Sequence, residues 1–128
     1  TKLLNYVETN NINFSKIFIE VAEDNVNAIS FYQEALRIKP DFAEGWSNLG
    51  SSFQLKKQLD EAVSCYRKAL KIQPNYVEAI YNLGNAFLEK GELDQAIGFY
   101  REVLKLNPDY ADLCKDRIKG DAPLLVDL

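Results

Sequence analysis

The chain contains no histidine, and only two of its 128 residues are cysteines. Histidine is the commonest protein metal ligand and the usual acid–base catalyst near neutral pH, so its absence removes the ordinary centre of both kinds of site. Cys65 and Cys114 form neither a CxxC pair nor any zinc-ligand spacing. We therefore expect two structural thiols, no metal, no cofactor and no enzymatic activity.

Basic blocks and long apolar runs are also missing. Lysine and arginine total 15 against 19 aspartates and glutamates, a net charge of -4 that argues against DNA or RNA as a partner. No run approaches the roughly 18 consecutive apolar residues of a membrane span, and no signal-peptide pattern follows Thr1. Together with unpaired thiols, these absences favour a cytoplasmic protein without a membrane or nucleic-acid partner.

Two similar segments carry a glycine at the same place. The segment "NLGSSFQLKKQLDEAVSCY" contains Gly50, and "NLGNAFLEKGELDQAIGFY" contains Gly84, 34 residues later. Residues 43–76 and 77–110 align without a gap and are identical at 15 of 34 positions. A period of this length is typical of helical repeat arrays. The segment "NAISFYQEALRIKPDF" at 27–42 extends the pattern toward the start of the chain.

Apolar spacing predicts two helices in each repeated unit. In the later unit they run near 77–90 and 94–106, with Gly91 ending the first and Pro108 following the second. An interior glycine costs a helix about 1 kcal/mol relative to alanine. We expect close packing of the two helices to offset this cost. In this packing, small residues of the two helices meet, Gly50 with Ala62 and Gly84 with Ala96. The predicted packing residues are Trp46, Leu49, Gly50, Phe53, Ala62, Tyr66, Pro74, Leu83, Gly84, Phe87, Ala96, Tyr100 and Pro108.

The order of these positions resembles the tetratricopeptide repeat. The residues that carry the resemblance are Trp46, Leu49, Gly50, Phe53, Ala62, Tyr66 and Pro74 in one unit, and Leu83, Gly84, Phe87, Ala96, Tyr100 and Pro108 in the next. The resemblance implies an all-α fold. Specifically, it implies a right-handed α-solenoid of about three helix-turn-helix units with a C-terminal capping helix.

The resemblance also implies a division of the chain into a repeat domain at 1–119 and a tail or linker at 120–128. Within the domain we expect a degenerate first repeat at 9–42, a second at 43–76, a third at 77–110 and a capping helix at 111–119. The first repeat departs from the pattern because Lys16 stands where glycine stands later. The tail has two interpretations, a linker to another domain or a strap lying on the last helices.

In this family the first helix of each unit lines a concave groove that binds peptides, so the resemblance implies a non-catalytic scaffold for protein–protein interaction. The positions that it assigns to this face are Glu44, Ser47, Asn48, Ser51, Glu78, Tyr81, Asn82, Asn85 and Glu89. Asn48 and Asn82 are the sharpest candidates, because an amide both donates to and accepts from a peptide backbone. The pair resembles the asparagine ladder in the repeats of the O-linked N-acetylglucosamine transferase. The acidic positions favour a neutral or basic partner.

Other interpretations stay open at this level. The asparagines could satisfy neighbouring backbone or water, Tyr81 could stack on its own helix, and the glutamates could be solvated charges. The chain could also be an auxiliary region of a larger glycosyl- or methyltransferase-like enzyme, or a self-assembly module whose exposed ends associate. A chaperone-type carboxylate clamp is disfavoured, because Glu78 would repel the carboxylate of such a ligand.

Overall fold

The computed structural model describes residues 28–118, which form six α-helices and one 3-10 helix. In chain order they are α1 (Ala28–Ile38), α2 (Ala43–Leu55), α3 (Leu59–Ile72), α4 (Val77–Glu89), α5 (Leu93–Leu106), the 3-10 helix (Pro108–Tyr110) and α6 (Ala111–Arg117). No strand occurs within this range, and the all-α prediction is confirmed. The predicted opening helix of the first repeat, Lys119 and the tail at 120–128 lie outside the described residues.

The helices belong to two compact units that divide between Pro74 and Asn75. In the first unit α2 packs against both α1 and α3. In the second unit α4 packs against α5, and the 3-10 helix contacts α5 and α6. Each repeated segment therefore folds as a packed pair of adjacent helices. The helices predicted near 77–90 and 94–106 differ from α4 and α5 by one residue at one end.

The turn that joins the paired helices has the same hydrogen bonds in both units. After α2, the N–H of Lys57 donates to Gln54 O and the N–H of Gln58 donates to Phe53 O. After α4, the N–H of Gly91 donates to Leu88 O and the N–H of Glu92 donates to Phe87 O. All four donor–acceptor distances are 2.9–3.0 Å. This is the Schellman arrangement, which places one residue in the left-handed region. Gly91 adopts a φ of 81° there, and Lys57 adopts 63°.

Each unit has an apolar core built from the inward faces of its helices. The core of the first unit includes Ala28, Tyr32, Ala35, Leu36, Leu49 and Cys65, with Trp46 and Phe53 packed against it. The largest fully buried side chains of the second unit include Tyr100, Ile80, Leu83, Ile118 and Val103. Burial of these apolar side chains is the main term that holds the helices together, since short isolated helices are marginal in water.

The two interior glycines make room for tyrosine rings. A Cβ built on Gly50 would lie 2.7 Å from Cε1 of Tyr66, and one on Gly84 would lie 2.8 Å from Cε1 of Tyr100. Both distances are shorter than the 3.0 Å below which Cβ atoms essentially never approach. The two helices are therefore closely packed at these glycines, but the nearest atoms belong to a tyrosine ring and not to the predicted alanine. The alanine predicted opposite Gly84, Ala96, is fully buried, but the tyrosine one turn later occupies the space over the glycine.

Candidate protein-interaction surface

The tyrosine over each glycine also ties its hydroxyl to the first helix of the pair. In the first unit Tyr66 donates a hydrogen bond to Gln54 Oε1 at 2.7 Å, and its hydroxyl lies 3.2 Å from Ser51 Oγ. In the second unit Tyr100 donates to Asn85 Oδ1. Both rings are fully buried, with 0% of their surface exposed. The hydroxyl bonds thus fix the ring that covers each glycine.

The partners of these hydroxyls differ between the repeats in a compensating way. Ser51 and Asn85 stand at the same register, and so do Gln54 and Leu88. Where the short serine stands, the glutamine one turn later supplies the shorter contact to the tyrosine. Where leucine replaces that glutamine, the longer asparagine accepts the hydroxyl bond itself. Ser51 and Asn85 therefore serve the internal closure of their helix pairs.

Two of the residues predicted to face a partner are buried. Asn85 is 3% exposed and Ser47 is 1% exposed, and among residues 28–118 the Ser47 hydroxyl finds no hydrogen-bond partner. The expectation that these side chains are presented on an accessible face is corrected by this burial. Helical spacing alone places them beside exposed residues. The side chain of Asn85 instead accepts a hydrogen bond from the hydroxyl of Tyr100 inside the helix pair.

Tyr81 packs against its own fold. Its ring centroid lies 5.9 Å from that of Tyr100 and 5.3 Å from that of Tyr110, the second contact being edge-on. Arg117 in the last turn of α6 forms a side-chain hydrogen bond with Tyr81, and this bond raises the pKa of the guanidinium. Tyr110 and Arg117 were not among the predicted site residues, because no local spacing links them to Tyr81. These contacts link α4 to α5, to the 3-10 helix and to α6.

The remaining predicted residues are at least partly accessible. Glu78 and Glu89 are exposed, whereas Glu44 is half-buried. Burial raises the pKa of Tyr32 to about 12, and the negative charge of Glu44 adds to this rise. These glutamates bring negative charge to the faces of α2 and α4 that the sequence assigns to partner binding. Such charge favours a neutral or basic ligand.

Asn48 and Asn82 occupy equal places on α2 and α4. Each side chain is half-buried, and each residue stands two positions before the glycine that the tyrosine ring covers. Within residues 28–118 no hydrogen bond is found to either side-chain amide. A half-buried amide whose donor and acceptor groups are not used by residues 28–118 is suited to a ligand that supplies both, such as a peptide backbone.

Both cysteines are free and buried. Desolvation raises the pKa of each thiol from 9.0 to about 11; for Cys65, the positive charge of Lys68 opposes this rise and the negative charge of Glu61 adds to it. The thiols are therefore protonated at neutral pH. Because the thiolate is the reactive species, neither cysteine has the character of a catalytic nucleophile.

No group of three or more cysteine, aspartate, glutamate or histidine side chains among residues 28–118 is arranged to hold a metal ion. None of the helices in this part of the chain combines the length and apolarity that crossing a bilayer requires.

Family profiles match the repeated region. The profile described as "TPR repeat" matches residues 53–91, and the one described as "Tetratricopeptide repeat" matches residues 77–110. The second match coincides with the repeat boundaries predicted from the 34-residue period. Residues 53–110 are therefore similar to tetratricopeptide repeats. Members of this family are protein-interaction scaffolds in general, so proteins are the expected class of partner for this tetratricopeptide repeat chain.

The fold is also shared with a solved structure. The crystal structure of MamA, a tetratricopeptide repeat protein, aligns with a TM-score of 0.74 over 98% of this chain and 79% of the MamA chain, at 19% sequence identity. At this identity the likeness concerns the fold. No curated protein sequence matches the chain.

Proposed function

We propose that this tetratricopeptide repeat protein is a non-catalytic scaffold that binds a segment of a partner protein through the first helices of its repeats. Asn48 on α2 and Asn82 on α4 are the residues that contact the segment. The observation that carries the proposal is their common register together with their half-buried amides, for which residues 28–118 supply no hydrogen-bond partner. The faces of α2 and α4 that carry them are the ones that the resemblance to the family assigns to partner binding.

The chemistry of the two amides suits a peptide backbone. Each can accept from a peptide N–H and donate to a peptide carbonyl, whatever side chains the peptide carries. A hydrogen bond of this kind contributes about 0.5–1.5 kcal/mol net, so two residues give modest affinity and leave selectivity to their neighbours. Glu44, Glu78 and Glu89 provide that selectivity by favouring a neutral or basic segment.

A non-catalytic role agrees with the side chains that are present. The sequence contains no histidine, and the pKa of both thiols is about 11. Such thiols remain protonated and weakly nucleophilic at neutral pH. Two free buried thiols also suit a reducing compartment, and we place the protein in the cytoplasm on that ground.

Self-association is a second candidate function, favoured by exposed leucines in the second unit. Leu113 on α6 is 50% exposed and Leu106 on α5 is 40% exposed. If this surface pairs two copies, the sedimentation coefficient rises with protein concentration, and Leu113→Ser abolishes the rise. A single species at every concentration would contradict this second candidate.

The proposed peptide contact is tested by affinity capture from the source lysate with mass spectrometry. The bait proteins are wild type, Asn48→Ala/Asn82→Ala, and the control Gln58→Ala/Gln95→Ala, which removes two exposed amides outside the proposed face. We expect at least one protein to be captured by wild type and by the control but lost with the asparagine variant. Identical captures by all three baits would contradict the proposed site.

A further inference from the structure

The first unit contains an apolar groove of about 420 Å³ that the amide face does not include. It lies between α1, α2 and α3, and its apolar lining includes Leu36, Leu49, Phe53 and Cys65. The indole of Trp46, the sole tryptophan of the chain, also lines it. A groove of this volume is within the range of sites that hold a ligand or an anchoring side chain.

The groove exists because one large side chain is missing from this repeat. Cys65 stands at the register of Phe99, and Phe53 at the register of Phe87. In the second unit the rings of Phe87 and Phe99 stack with centroids 5.3 Å apart, and Phe87 is buried. In the first unit the thiol fills far less space, and Phe53 is only partly buried beside the groove.

Positive charge lines the groove where α3 borders it. Lys68 lies with its ammonium 4.5 Å from the centre of the Trp46 ring, a cation–π contact that holds the charge at the groove wall. Farther along α3, Arg67 and Lys71 share a neighbouring surface hollow with Lys68. The residue of the next repeat at the register of Lys68 is Glu102, of opposite charge.

The rim is positive on balance although the whole chain is negative. Arg37 from α1 also lines the groove and is paired with Glu34 at 2.7 Å, while Glu61 is the acidic residue of the lining. Asp60 lines the neighbouring hollow as a second carboxylate, and the cationic strip of Arg67, Lys68 and Lys71 outnumbers the two, in a chain whose net charge is -4. An apolar site with a positive edge is complementary to an acidic amphipathic segment.

We propose that this groove is a second docking site, which takes an acidic amphipathic segment of a partner protein. An apolar side chain of the segment enters beside Cys65, in the space that Phe99 fills in the next repeat. Carboxylates of the segment lie over Lys68 and Lys71. The site shares no residue with the amide face of Asn48 and Asn82, and it selects the opposite charge.

Trp46 gives a readout located in the groove itself. The probe is a helical peptide of about twelve residues with leucine and phenylalanine at i and i+4 and glutamates on its other face. Matched probes carry lysine in place of glutamate, or alanine in place of phenylalanine. We expect the acidic probe to change the tryptophan emission saturably, and both matched probes to bind about tenfold more weakly or worse, a loss of about 1.4 kcal/mol.

Variants assign the binding to the groove. Cys65→Phe introduces the residue that the next repeat has at this register and fills the groove. Lys68→Glu introduces the opposite charge, which the next repeat has at Glu102. Both variants are expected to bind the acidic probe several-fold more weakly than wild type. Glu102→Lys and Asn48→Ala/Asn82→Ala serve as controls that leave its affinity unchanged. Thermal melts show which variants are folded; the side chain replaced in Lys68→Glu is exposed, and the variant's own unliganded Trp46 emission is the baseline for its titration, because the substitution removes the cation–π contact.

The proposal is overturned if the acidic probe leaves the Trp46 emission unchanged, if the lysine probe binds as tightly, or if folded Cys65→Phe and Lys68→Glu proteins bind like wild type. Loss of the acidic probe with the asparagine variant alone would overturn it too, by moving the binding to the amide face. The two sites are tested by different variants. A negative result for the groove therefore does not bear on the proposal for Asn48 and Asn82, which has its own test.

Discussion

The ring of Tyr100 covers Gly84 so closely that a Cβ on the glycine would lie 2.8 Å from the tyrosine Cε1. The ring has little room to retreat, since it is fully buried and its hydroxyl donates to Asn85 on the same helix as the glycine. Tyr66 and Gly50 form the same pair in the first unit, at 2.7 Å. This tyrosine-on-glycine contact closes each helix pair and explains why an interior glycine is tolerated twice at equal register.

Removing the Tyr100 hydroxyl tests the buried hydrogen bond. Tyr100→Phe leaves Asn85 Oδ1 buried without that donor, which costs about 1–3 kcal/mol of unfolding free energy. Tyr66→Phe costs less, because its hydrogen-bond partners on α2 are only partly buried and water replaces the lost hydroxyl. Urea unfolding of the two variants measures the difference. An equal or larger loss in Tyr66→Phe would contradict the assignment of Asn85 to the closure.

Lys57 offers a stabilising substitution. It adopts a φ of 63° at the place where the next repeat has Gly91, and this conformation costs a residue with a Cβ roughly 1–2 kcal/mol. Lys57→Gly therefore raises the unfolding free energy by about 1 kcal/mol, after allowance for the greater freedom of glycine in the unfolded chain. Urea denaturation is the measurement.

The neighbouring residue supplies the control for this substitution. Lys56 has a φ of -86°, so Lys56→Gly relieves no strain and lowers stability or leaves it unchanged. Gly91→Ala is the reverse test and destabilises, because its φ is 81°. Stabilisation by Lys56→Gly equal to that by Lys57→Gly would show that the left-handed conformation is not the cause.

The buried thiols predict a loss of stability at alkaline pH. Burial raises the pKa of Cys65 and Cys114 from 9.0 to about 11, so the folded state binds their protons more tightly than the unfolded state. Their contribution is fully present below pH 9 and is lost as the pH rises through about 11. Unfolding free energies across this range are compared with those of Cys65→Ala/Cys114→Ala. The double variant is expected to lose less stability over the range; an identical pH dependence would contradict the cause.

The repeat could be predicted from sequence because its signals are local and occur twice. Period, helix bounds and the stop at Gly91 follow from spacing and turn chemistry that neighbouring residues determine. The left-handed backbone conformation of Lys57 could also be predicted, since the alignment of the two repeats places Lys57 at the register of Gly91. A glycine at equal register is a direct indication of the backbone conformation that its counterpart needs.

The parts that could not be predicted depend on contacts between helices. Spacing places Asn85 beside accessible residues of α4, but the hydroxyl of Tyr100 draws its side chain into the core. The neighbour of Gly84 was misassigned for the same reason, because the size of the tyrosine ring decides the contact. The groove at Cys65 is a difference in side-chain volume between two repeats, and its consequence appears only once the helices are packed.

The most direct test of the closure compares two glycines of the second unit. Gly84 lies under Tyr100, whereas Gly98 on α5 is exposed, and apart from the adjoining backbone of its own helix no atom of residues 28–118 lies within 4 Å of a built Cβ. By urea unfolding, Gly84→Ala should lose about 1–3 kcal/mol through overpacking. Gly98→Ala should gain about 0.5–1 kcal/mol, since alanine is the better helix residue. Stabilisation by Gly84→Ala, as by Gly98→Ala, would contradict the tyrosine-on-glycine closure.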